Sequence, residues 1–322
     1  MSEPATVLPF LIRPLLGVSL LMAASCGGEE PAAEGSVVAE AAAPTVEVDL
    51  DALEGFPPLA TTFPGPDGPA SAELVELGRA LFQSTGLSAD GSVSCASCHD
   101  PDEGGDDGRA LSVGPGGATS RRNAPSLWNV ASYATFGWDG RAATLEGFTA
   151  LHLLDDWATG FADEEALVGA AGGERSLAEI AAALGAYQRT LVRRSRWDRF
   201  LGGEPSALGD PERRGFNSFL EAGCAMCHTG PSFGGDDFQQ LGMAEEWPDL
   251  EDSGRMLVTG DSSDEGMFRT APLRGLYETA PYGHAGQYPD LGEMVRLMAQ
   301  HQLGVELSPQ ETADIVTWLN SL

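Results

Sequence analysis

The sequence predicts a mostly α-helical protein built from two related halves, and three observations carry that reading. Amphipathic segments with strong helix-start signals recur along the chain. Strand signals are few. A helix leading into a Cys-x-x-Cys-His pentapeptide occurs twice, about 129 residues apart. Taken in order, Ser71 is the expected N-cap of "SAELVELGRALFQS", in which Leu74, Leu77, Leu81 and Phe82 share one face. Ser176 and Glu179 make a capping box at the head of "SLAEIAAALGAYQRTLVRRSRWDRFL", which reads as one helix to about residue 200. Asp210 is the expected cap of "DPERRGFNSFLEAG", with Pro211 at its first helical position. "LGEMVRLMAQHQ" and "SPQETADIVTWLNSL" supply the last helices, the second announced by Ser308, Pro309 and Glu311. The 322 residues have room for two domains, and the recurrence places them at 71–200 and 201–322.

The first 70 residues read differently. "VLPFLIRPLLGVSLLMAASCGG" is apolar, interrupted only by Arg13, and ends in small residues before Cys26. It has the form of a secretory signal over 1–26 with a lipoprotein box, which predicts export to the periplasm and a lipid anchor on Cys26. Residues 27–70, rich in Ala, Glu, Pro and Gly, read as a flexible tether. The net charge is −30, from 48 acidic residues against 18 basic ones, all of them Arg. Such a surface repels nucleic acid and anionic lipid, and it either attracts a basic redox partner or serves solubility.

The five cysteines sort without remainder: Cys26 to the signal, Cys95 and Cys98 to "CASCH", Cys224 and Cys227 to "CAMCH". Cys-x-x-Cys-His attaches c-type haem: the two thiols bond the vinyl groups and the adjacent His ligates the iron. Disulfides would not need a His after each pair, and a four-Cys zinc site would leave both histidines idle. Two cytochrome c-like domains follow, each with one covalently bound c-type haem. Cys95, Cys98 and His99 hold the first; Cys224, Cys227 and His228 hold the second.

Beyond these motifs, "ELGRALF", "LSADGSVSCASCHDP", "RRNAPSLWNV", "FGWDGRAATLE", "GCAMCHTGPSFGG" and "FRTAPLRGLYETAPYGHAGQ" make the chain resemble the bacterial di-haem cytochrome c peroxidases. Their superfamily includes the tryptophan-modifying enzyme MauG. The resemblance covers about residues 71–322 and implies that peroxide meets the N-terminal haem while electrons enter at the C-terminal one. It places an axial methionine at Met298, fourteen residues after His284; read without it, Met298 and Met294 are one turn apart on an amphipathic helix and could equally be core. The corresponding ligand in MauG is a tyrosine. Trp138 matches the tryptophan between the haems, with a buried core tryptophan as the plain alternative. Asn123, with the carbonyls of Thr279 and Pro281, matches an inter-haem calcium site, where oxygen-only ligation suits a hard cation. His284 matches a hydrogen-bonding histidine near the haems.

The resemblance also shows what is missing. Many relatives cap the first iron with a His sixteen residues after the proximal one, and that position here is Pro115. The first haem is therefore expected to be open. The relatives' catalytic Gln and Glu fall on Phe148 and near Ala158, so the usual acid–base pair is lost. Asp155 and Asp156 are nearby replacements. His152, the one free histidine of the first half, is a distal base, an iron ligand that closes the site, or a helix residue without chemistry. His301 reads as a surface residue. The leading expectation is reduction of hydrogen peroxide with electrons from a small cytochrome c or cupredoxin; family peroxidases usually dimerise, and the sequence leaves the oligomeric state of this chain open. The rivals are a MauG-like oxidase acting on a protein substrate and a non-enzymatic electron carrier.

Overall fold

The structure, a computed structural model, describes residues 45–322 apart from residue 249. The signal, Cys26 and residues 27–44 of the expected tether lie outside the described residues. The described part belongs to one compact unit, residues 43–322.

In chain order its α-helices are α1 (Ala72–Gln83), α2 (Leu145–Leu153), α3 (Asp156–Thr159), α4 (Glu164–Ala170), α5 (Leu177–Gln188) and α6 (Arg196–Leu201). After these come α7 (Asp210–Glu221), α8 (Met256–Thr259), α9 (Leu291–Leu297) and α10 (Pro309–Leu319). Two three-residue strands, β1 (Phe238–Gln240) and β2 (Met267–Arg269), pair antiparallel with Phe238 opposite Arg269. The protein is mostly helical, as its sequence predicts. Ser71, Ser176 and Ser308 all cap their helices through side-chain oxygens.

Two cores form around two helix crossings. α1 crosses α5 at Gly78, where an added Cβ would stand 1.9 Å from the Ala183 carbonyl oxygen. α7 crosses α10 at Gly215, where it would stand 1.9 Å from the Asp314 carbonyl oxygen. The internal repeat thus extends from the pentapeptides to the packing: in each half a glycine lets two backbones touch. Gly215→Ala would gain about 1 kcal/mol of helix propensity. The clash is with backbone, however, and overpacking of this kind costs about 3 kcal/mol. A net loss is expected, read as a lower midpoint in denaturant unfolding of the full chain.

Two expectations are corrected. The helix predicted to run to about residue 200 stops at Gln188, because tertiary hydrogen bonds take over the backbone: Asn129 donates its N–H to the Leu191 carbonyl, and Arg193 donates its own to Asn129 Oδ1. A fresh Ser195–Asp198 capping box then starts α6, whose Trp197 is fully buried in the second core. Gly209, not Asp210, occupies the N-cap of α7. The Asp210 carboxylate instead accepts from the backbone of Thr45 and Val46. That contact anchors the end of the expected tether, where Val48 and Phe56 are buried and Phe56 stacks on Phe233 at 4.9 Å.

Candidate functional site

Both pentapeptides fold the same way. Cys95–Ser97 and Cys224–Met226 are single 3-10 turns, and in each the histidine N–H donates to the carbonyl of the first cysteine at 3.0 Å. The chain then loops back and fixes the ring: Nδ1 of His99 lies 3.3 Å from the Gly105 carbonyl, and Nδ1 of His228 lies 3.0 Å from the Phe233 carbonyl. With Nδ1 engaged, Nε2 is left to face a metal. Burial pushes the His99 imidazole down to about 4, helped by the like charge of His152, and it lowers His228 too. Both shifts favour the neutral imidazole, the form able to ligate a metal. The four cysteines form no disulfide, and burial pushes the Cys95 thiol up to about 12 and Cys224 up to about 11.

Each motif borders a cavity. The first, about 1030 Å³, is lined by Cys95, Cys98, His99, Trp138 and His152. The second, about 220 Å³, is lined by Cys224, Cys227, His228, Met294 and Met298. Met298 opens a π-turn, Met298–Gln302, a widened helical turn common at functional sites.

The residues present fit a haem at each cavity. Besides thiols and imidazoles, an orphaned cation supports this: Arg269 is buried, lines both cavities, and leaves Nη1 without a partner, while its Nε donates to the Gly137 carbonyl. A buried guanidinium without an ion pair is costly unless a bound group brings an anion, and haem carries two carboxylates. Nothing in the sequence singles out Arg269, because its burial arises only where β2 pairs with β1.

Trp138 forms a wall common to both cavities. Its Nε1 donates to the Asn123 carbonyl at 2.9 Å, and its own carbonyl accepts from Arg269. Beside it Asp139 is buried and bonded by Arg122 and Arg141, and Arg122 also grips Asp252 through two hydrogen bonds. Arg122 lies over Phe268, and His284 stacks on the same ring at 4.4 Å. This fixes His284 on the border of both cavities. Asn123 also borders both; its Nδ2 donates to the Arg109 carbonyl at 2.8 Å, which leaves Oδ1 outside that bond. Thr279 and Pro281 border the second cavity with it.

The first cavity is more crowded than the sequence implies. Residue 115 is not on the cavity wall. The loop around it closes on itself, Gly114 N–H donating to the Ala118 carbonyl, and packs against α3, where a Cβ on Gly114 would stand 1.8 Å from the Trp157 carbonyl oxygen. Phe148, His152, Asp155, Asp156 and Ala158 do line the cavity. His152 stacks on Phe148 at 6.0 Å and packs against Trp157 at 5.5 Å. Trp157 was not foreseen. His301, expected on the surface, is half-buried against Trp247 with Nδ1 enclosed and unpartnered, because the loop carrying Ala244 and Glu245 bonds over it.

Comparison with known proteins agrees with this geometry. The family described as di-haem cytochrome c peroxidase matches residues 72–171. The cytochrome c551 peroxidase of Pseudomonas aeruginosa is 36% identical, over 79% of this chain and 80% of its own. The methylamine utilization protein MauG of Methylorubrum extorquens is 32% identical, over 97% of this chain and 96% of its own. Among solved structures, a MauG-like protein associated with microbial copper homeostasis is 28% identical with a TM-score of 0.69, covering 85% of this chain and 95% of its own. The chain belongs to the di-haem cytochrome c peroxidase and MauG family, and it is an oxidoreductase of the cytochrome c peroxidase type.

Proposed function

We propose that the protein reduces hydrogen peroxide at the first cavity with electrons received at the second, by the balance H2O2 + 2 H+ + 2 e− → 2 H2O. The observation that carries this is Trp138, a single side chain bordering two cavities that each present a Cys-x-x-Cys-His motif. Haem, when bound, supplies the redox-active iron at both places. Cys95, Cys98 and His99 hold one group, and Cys224, Cys227, His228 and Met298 hold the other. A His/Met pair favours a high potential, which suits the electron-accepting side. Met226, between the two cysteines, is 73% exposed, so a small cytochrome or cupredoxin reaches that edge directly. Trp138 carries charge between the sides, and the buried Arg122–Asp139–Asp252 cluster holds its surroundings rigid.

Phe148 and Ala158 carry no acid or base, so protons reach the first cavity through Asp155 and Asp156. Asn123 Oδ1 and the carbonyls of Thr279 and Pro281 bind calcium between the sides in this reading. Export, a lipid anchor on Cys26 and dimerisation complete it. A second reading, oxidation of a side chain on a partner protein as in MauG, is favoured by the loss of the acid–base pair at Phe148 and Ala158 and opposed by Met298.

The test is peroxide consumption by the holoprotein with a reduced small cytochrome as donor. Two donor electrons per peroxide are expected. Trp138→Phe should lower turnover by about tenfold or more, 1.4 kcal/mol in the barrier, with both haem spectra unchanged. Peroxide consumed without donor oxidation, but with an oxidised partner side chain, would move the assignment to the second reading.

A further inference from the structure

The five histidines divide by what holds Nδ1. In His99 and His228 it faces a backbone carbonyl, and in His152 it lies 3.4 Å from Asp155 Oδ2. Metal-ligating imidazoles are oriented this way, with the Nδ1 proton given to a carbonyl or carboxylate and Nε2 turned to the metal. His301 leaves Nδ1 unpartnered, and His284 lies flat on Phe268. His152 Nδ1 thus has an acceptor within ion-pair distance, on the side where the two motif histidines have theirs.

Distance then separates its two chemical roles. The His152 and His99 rings are 6.4 Å apart between centroids, their planes at 70°, and both border the first cavity. Two imidazoles on opposite sides of one metal, each bound through nitrogen at about 2.0 Å, have centroids about 6.3 Å apart. A base acting on metal-bound peroxide stands farther away. It must come within about 3 Å of an oxygen that is itself about 2 Å from the metal, which opens the separation to roughly 8–9 Å. The observed spacing is that of a ligand.

We propose that His152 is the second axial ligand of the metal held by His99 and closes it to peroxide in the resting oxidised protein. This rests on the reading of His99 as an iron ligand. The closing group comes from the last turn of α2, while the loop at Pro115 stays off the cavity wall. Phe148, one turn earlier, and Trp157, after the bend at Leu154 and Asp155, flank the ring. The side chain is 34% exposed, so it has a way out toward solvent, and peroxide binds only after it takes that way.

The experiment is electron paramagnetic resonance of the fully oxidised holoprotein, with cyanide binding alongside. The wild type should show low-spin iron only and bind cyanide weakly. His152→Ala should turn one signal high-spin and tighten cyanide binding by about a hundredfold if the open form is about 1% populated. Imidazole added to His152→Gly should restore the low-spin signal. A high-spin signal in the wild type that His152→Ala leaves unchanged overturns the proposal. Should the variants not fold, the wild type decides alone: high-spin iron with tight cyanide binding overturns it, and its absence supports it. Peroxide turnover is a separate readout. Low-spin wild type that consumes no peroxide in any redox state upholds the ligation and removes the peroxidase reading.

Discussion

Asp198→Ala is expected to destabilise the protein by about 3–5 kcal/mol, the cost of leaving a buried charge unpaired. The Asp198 and Arg274 side chains are 1% and 2% exposed and share two hydrogen bonds, at 2.8 and 3.0 Å. Asp198 also completes the capping box of α6 and accepts from the Leu59 backbone, while Arg274 donates to the Pro231 carbonyl. One carboxylate thus ties together the N-terminal segment, α6 and two loops of the second core. Burial pushes the Asp198 carboxyl up, yet the Arg274 charge, with hydrogen bonds from Ser195, Arg274 and Leu59, outweighs it and holds the group below the ordinary carboxylate range. The sign of the pH effect follows. A depressed folded value gives stability that is present above the unfolded value of about 3.9 and is lost as the pH falls through the folded one. Denaturant unfolding at pH 7 and below pH 4 should show the gap between wild type and Asp198→Ala narrowing in acid. Arg79→Ala, which removes an exposed pair with Glu76, should leave the transition where it is. Equal losses from both substitutions would refute the assignment of stability to the buried pair.

The second large effect is expected at Met298. Met298→Leu conserves volume, so the fold should survive. It removes the thioether, and axial ligation is a major control on haem potential. A fall on the order of 100 mV in the potential of the second haem is expected, with loss of peroxide turnover from an external donor. Met294→Leu is the control, because Met294 borders the same cavity one turn earlier. Spectroelectrochemical titration of both variants separates the cases. Matching potentials in wild type and Met298→Leu would make Met298 a packing residue, and a shift confined to Met294→Leu would move the ligand there.

The sequence was most informative where chemistry needs a fixed local spacing. The two Cys-x-x-Cys-His motifs, the Ser caps at 71, 176 and 308, and the repeat of helix and motif are short-range patterns; the three caps and the repeat of helix and turn appear in the fold. Family motifs also led to Trp138, Asn123, Thr279, Pro281, His284 and Met298, and each of these borders a cavity. What the sequence could not show is long-range. Asp210 looks like a helix cap until Thr45 arrives to take its carboxylate, and the helix after Ser176 looks continuous until Asn129 captures the backbone beyond it. Arg269 becomes an orphaned cation only through burial between the two cavities. Pro115 matters by position in an alignment, but packing of Gly114 on the Trp157 carbonyl holds its loop off the cavity wall, and His152 faces His99 instead. Local hydrogen bonding and covalent reach are written in neighbouring residues. Which groups share one cavity is decided by contacts between residues far apart in the chain, and those exist only once both cores have closed.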